Sequence, residues 1–118
     1  MMIFIKIGVM ICAFTVILGA FGAHSLEKLI GDKMETFKTG IQYQMFHSLG
    51  LIIIGILSKI IDIDLSTSGY LMISGIILFS GSLYLISIFK LTYFGIVAPL
   101  GGFCFIFGWL YLFYKISL

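Results

Sequence analysis

A chain of 118 residues that is 61% hydrophobic and 10% charged, with a mean hydropathy of +1.22, departs from the roughly 45–50% apolar and about 25% charged residues of a soluble domain. So short a chain would have to leave most of its Ile, Leu and Phe in water at roughly 25 cal/mol per Å² of apolar area, which excludes a water-soluble fold and places it in lipid. The net charge of +2 comes from seven dispersed lysines with no arginine; without a basic stripe to neutralise successive phosphates, nucleic acid is excluded as a partner.

The first apolar run, residues 3–23, begins near Lys6 and ends at Ala20-Phe21-Gly22, which resembles a signal-peptide cleavage site. Its apolar part is longer than a signal's and three similar runs follow, so it is read as a membrane-spanning helix. Gly8, Cys12, Thr15, Gly19 and Gly22 recur at intervals of four and three and align on one face. Helices in lipid associate through close backbone approach, so this seam predicts the first helix as the centre of the bundle, with Gly8, Gly19 and Gly22 as packing residues.

Residues 24–40 form the only sizeable connection. Leu26, Leu29, Ile30, Met34 and Phe37 recur at helical spacing between charged residues, which predicts an amphipathic segment in the interface plane. Gly31 divides it, and Asp32 followed by Glu35 fits a capping box, suggesting two short pieces.

The remaining runs, 41–61, 69–89 and 94–114, each approach the ~20 residues that cross ~30 Å of hydrocarbon. Backbone groups in lipid pair within their own segment, so each is a helix. The predicted fold class is all-α: a polytopic bundle of four transmembrane helices, one domain over residues 1–118, with both termini on one side. Lys6, Lys59 and Lys115 fall on one side and Lys28, Lys33, Lys38 and Lys90 on the other, a division too even for the positive-inside rule to assign orientation. Gly75, Phe79 and Ser82 mark a weaker seam on the third helix, matched by Gly101 and Gly108 on the fourth. Pro99, inside the fourth run, predicts a kink that frees a carbonyl.

Antiparallel connectivity gathers His24, Gln42, Tyr43, Gln44, His47, Ser80, Ser82, Tyr84, Ser87 and Pro99 into the half of the bilayer beside the long loop. Tyr43, Gln44, His47 and Ser48 are expected to share one face, with His24, Gln44 and Tyr84 as candidate partners of His47. Two readings follow: a neutral imidazole that pins helix register, or a proton- or solute-handling site. Two histidines also admit a bis-imidazole haem through His24 and His47 as a minor alternative. Cys12 and Cys104 lie in apolar runs and read as small core residues, so no metal site is expected. Every acid is in a loop, leaving no catalytic constellation within the spans and predicting no enzyme activity.

The ordered segments Gly19-Ala20-Phe21-Gly22-Ala23-His24, Thr39-Gly40 with Gln42-Tyr43-Gln44 and His47, Phe79-Ser80-Gly81-Ser82-Leu83-Tyr84, and Ala98-Pro99-Leu100-Gly101-Gly102 with Gly108-Trp109 resemble the family called domain of unknown function 423, small four-helix membrane proteins of the YgdD and YwdK type. The resemblance covers essentially the whole chain; the stretch after Ser25 departs from it in holding fewer small residues. It implies a multi-pass protein of the bacterial cytoplasmic membrane and no particular activity. The expected role is non-catalytic: membrane-structural, contacting lipid or a protein partner, including a second copy. The alternative is a small oligomeric transporter or channel subunit with a polar site around His47.

Overall fold

The computed structural model describes residues 1–118, and the four apolar runs are four helices without strands: Met2–Ser25, Glu27–Ile61, Ser66–Phe89 and Thr92–Ser117, here called spans 1 to 4. Each is long and apolar enough to cross a membrane, and the 48 Å long axis of the molecule fits a bilayer of about 40–45 Å including headgroups.

Span 1 runs as an α-helix over Met2–Ile17, widens into one π turn at Leu18–Gly22 and closes at Ala23–Ser25. A short helix, Glu27–Ile30, follows and stops at Gly31, whose φ of +59° suits a residue without Cβ. The second predicted piece of the linker does not lie in the interface plane. After a 3₁₀ turn at Gly31–Lys33 it becomes the first turns of a continuous helix, Met34–Ile61. Those 28 residues are about 42 Å long at 1.5 Å per residue, so the charged turn carrying Glu35 and Lys38 stands clear of the ~30 Å hydrocarbon. Nor does the capping box form. The helix begins one residue later than Asp32 would cap, and Lys33 occupies the cap position with no side-chain bond.

Span 2, not span 1, is the centre of the bundle. In its apolar stretch 44% of residues are buried, against 17% in span 1. The reason lies in small residues placed around span 2 on several faces. A Cβ at Gly40 would meet the Tyr84 ring at 2.8 Å, one at Gly50 the Trp109 ring at 3.1 Å, and one at Gly55 the Ile5 side chain at 2.6 Å. Three neighbours therefore approach it closely. The seam of span 1 serves one neighbour only: Gly8 faces Ile52 and the Ser48 carbonyl, while Gly19 and Gly22 face Ile41 and Phe37 more loosely.

At the short-loop side, Asp62 turns the chain with a left-handed φ of 54°. Asp64 accepts hydrogen bonds from the Ser66 amide at 3.0 Å and the Ser66 hydroxyl at 2.5 Å, which hold its carboxyl below the usual carboxylate range. Span 3 consists of Ser66–Gly75, a π turn at Ile76–Ser80 and Gly81–Phe89. The π turn lies with the Phe79 backbone against Gly101, the tightest approach at any glycine of the chain. Ser82 takes no part in it and donates to the Leu78 carbonyl of its own helix.

Pro99 does not kink span 4. Thr92–Ile96 form a 3₁₀ turn and the α-helix starts only at Ala98, so Pro99 occupies its first turn, where a missing N–H breaks nothing. The apolar core draws on all four spans, through Phe4, Leu51, Ile54, Met72, Ile76, Phe105 and Leu112 among others.

Candidate functional site: a polar layer beside the linker

Two hydrogen-bonded chains of side chains cross the linker-side half. In the first, the Tyr84 hydroxyl on span 3 donates to Gln44 Oε1 on span 2 at 2.5 Å. Gln44 Nε2 donates to Thr15 Oγ1 on span 1 at 2.8 Å, and Thr15 Oγ1 donates to the Ile11 carbonyl at 2.6 Å. One buried amide thus ties three helices, using its acceptor in one direction and its donor in the other.

The second chain belongs to His47. Trp109 on span 4 donates its indole N–H to His47 Nε2 at 3.0 Å. Because Nε2 accepts, the ring hydrogen resides on Nδ1, which lies 2.9 Å from the Tyr43 carbonyl and donates to it. The imidazole stacks on Phe105 with centroids 3.5 Å apart, inside an aromatic group completed by Tyr43, Phe46 and Phe79. Geometry therefore fixes a neutral tautomer with both nitrogens engaged.

The expected single face of span 2 is divided. Gln44 and Ser48 turn toward span 1, where the Cys12 thiol lies 3.3 Å from the Ser48 hydroxyl, while Tyr43 and His47 turn toward spans 3 and 4. None of His24, Gln44 and Tyr84, the candidates named from sequence, is the partner of His47; Trp109 on span 4 is. His24 is exposed at the end of span 1 and lines an interfacial pocket with Glu27 and Lys38. Haem ligation by His24 and His47 does not fit, since iron at Nε2 would displace Trp109. Gln42 is exposed and Pro99 stands outside both chains. Cys12 and Cys104 are both free and partly buried.

Two ties escape a reading by sequence. Ser80 donates to the Gly40 carbonyl at 2.8 Å, joining spans 2 and 3. Lys90, in a left-handed conformation after span 3, donates from Nζ to the Ile30 carbonyl at 2.5 Å and so closes the end of the linker helix. The one buried side-chain oxygen or nitrogen without a partner is the Ser68 hydroxyl, in the opposite half. A groove of about 310 Å³ opens beside His47, lined by Gln42, Tyr43 and Phe46.

A family model described as "Protein of unknown function (DUF423)" matches residues 18–102, a segment that contains both hydrogen-bonded chains apart from Ile11, Thr15 and Trp109. The chain is 45% identical to the UPF0382 membrane protein YwdK of Bacillus subtilis, over 93% of this chain and 92% of that one. It is 42% identical to the UPF0382 membrane protein SH2409 of Staphylococcus haemolyticus, over 95% and 93%. No solved structure matches.

Proposed function

Because the chain belongs to the DUF423 family of membrane proteins, which carries no assigned activity, we propose a role from its architecture: a non-catalytic bundle, acting as one unit, that offers its linker side to lipid or to a membrane partner, a second copy included. The observation that carries this reading is the closure of the polar layer. Gln44, Thr15, Tyr84, His47 and Trp109 satisfy one another, so their hydrogen-bonding capacity goes into helix register, not toward a solute. The bacterial homologues support a bacterial cytoplasmic membrane as the address. No role for nucleic acid or a haem group enters this reading. Enzyme activity is left out as well, because Glu27, Asp32, Glu35, Asp62 and Asp64 all stand at the helix ends or in loops, away from the histidine within the bundle.

The groove beside His47 favours a second reading, a small transporter or channel subunit. The substitution His47→Leu separates the two. Under the packing role it removes one interhelical hydrogen bond and keeps most of the volume stacked on Phe105, so the variant inserts, folds and loses about 1 kcal/mol in detergent unfolding. Proteoliposomes of the native chain should conduct protons and small solutes no faster than empty vesicles. Flux that His47→Leu abolishes would establish the second reading instead.

A further inference from the structure

Four depressions along span 2 share lining residues in succession, and their chemistry changes in order. At the interface a pocket of about 330 Å³ is walled by His24, Glu27, Gly31 and Lys38. It shares Ala23 and Lys38 with a smaller depression of about 170 Å³ that also touches Gly19, Ile41 and Gln42. That one opens into an apolar groove of about 490 Å³ between spans 1 and 2, reaching Val16 and Leu49 and exposing no polar surface. The groove beside His47 adjoins it through Gln42 and Phe46.

We propose that this surface is a binding site for one phospholipid whose headgroup carries a primary ammonium group, able to donate hydrogen bonds, as well as a phosphate. The groups at the top are complementary to such a headgroup: the Lys38 ammonium and a His24 ring N–H face the phosphate, and the Glu27 carboxylate faces the amine. One turn below Lys38, about 6 Å along the helix, stands Gln42. The residue is exposed on a membrane-spanning segment, and the side-chain hydrogen bonds of the polar layer use Gln44 in its place. A polar group facing hydrocarbon needs a partner, and an ester carbonyl of the glycerol backbone lies at that depth. From Gln42 to Leu49 the apolar groove runs a further ~10 Å along the helix, the direction an acyl chain takes. Phe46, 60% exposed, stands between this groove and the one beside His47, so the two chains of a diacyl lipid straddle its ring.

The proposal deepens the lipid-facing role stated above and rests on it. Its test uses the full chain in mild detergent with dioleoyl phosphatidylethanolamine, phosphatidylcholine and phosphatidylglycerol as probes, each titrated and counted on the intact protein by native mass spectrometry. Phosphatidylethanolamine is expected to bind about fivefold more tightly than either of the others, the scale of one partly solvated charge-assisted hydrogen bond, since the quaternary nitrogen of phosphatidylcholine has no N–H to donate to Glu27 and phosphatidylglycerol has no amine. Glu27→Gln should erase that preference without changing the thermal unfolding curve, and Lys38→Gln should weaken the binding of all three phospholipids. Gly19→Leu, which fills the groove beside Ile41, should remove bound lipid in both charge backgrounds; since it also touches packing, the two surface variants carry the decision. Equal binding of the three probes, a preference for phosphatidylglycerol, or a preference that survives Glu27→Gln would overturn the proposal. A chain that shows no lipid preference yet keeps a dry, closed polar layer loses this site alone; one whose polar layer is open to water loses the reading beneath it.

Discussion

Replacing Gly101 by Ala is expected to cost about 3 kcal/mol or more, and replacing neighbouring Gly102 by Ala next to nothing. A Cβ at Gly101 would collide with the backbone nitrogen and Cα of Phe79, whereas one at Gly102 meets no atom within 4 Å. Overpacking is tolerated when a flexible side chain can move aside and costs about 1–3 kcal/mol when it cannot; here the obstacle is main chain inside a π turn, so the upper end applies. Without hydrophobic drive between helices in lipid, loss of close approach removes much of what holds spans 3 and 4 together. Unfolding of both variants by sodium dodecyl sulfate in mixed micelles measures the difference. Equal stability for the two would mean that the contact between Phe79 and Gly101 is not present in the membrane.

Gln44→Leu is the second substitution with a large expected effect, about 2 kcal/mol of lost stability. It strands the Tyr84 hydroxyl and removes the hydrogen bond that Thr15 Oγ1 accepts, leaving Thr15 only its own bond to the Ile11 carbonyl. Measured interhelical hydrogen bonds in membranes average only about 0.6 kcal/mol, but leaving a buried partner unsatisfied costs about 1–3 kcal/mol. The double variant Gln44→Leu with Tyr84→Phe should therefore recover part of the loss, because the stranded donor is gone. Unfolding midpoints of the two single variants and the double variant in detergent form the cycle; strict additivity would show that Gln44 and Tyr84 do not interact.

Much of this architecture is legible in composition. Four apolar runs of spanning length, the antiparallel order and the collection of polar side chains beside the linker all follow from hydropathy and connectivity. What is not legible is which side chain meets which. The small-residue spacing of span 1 is real, but Gly40, Gly50 and Gly55 on span 2 lie too far apart to read as a seam, and they decide the centre because each admits a different helix. Trp109 reads as one more apolar residue until span 4 is placed against span 2, when its indole N–H finds His47. Pro99 looks internal only if the fourth helix is assumed to begin at Phe94, and the 3₁₀ turn at Thr92–Ile96 delays that start. Helix boundaries and the depth of each residue, more than its type, separate the sequence reading from the structure.

A polar layer whose side chains satisfy one another is dry. In a chain with Cys12 and Cys104 replaced by Ala, single substitutions Ser48→Cys and Ser80→Cys place thiols at positions with 0% exposure, and Ser66→Cys places one at the first residue of span 3, beside the short loop. Charged methanethiosulfonate reagents applied to proteoliposomes from both sides should modify the variant at position 66 promptly and leave those at positions 48 and 80 unmodified over the same period. Rapid modification at position 48 or 80 would reveal water among the helices and contradict a layer whose polar groups serve only one another.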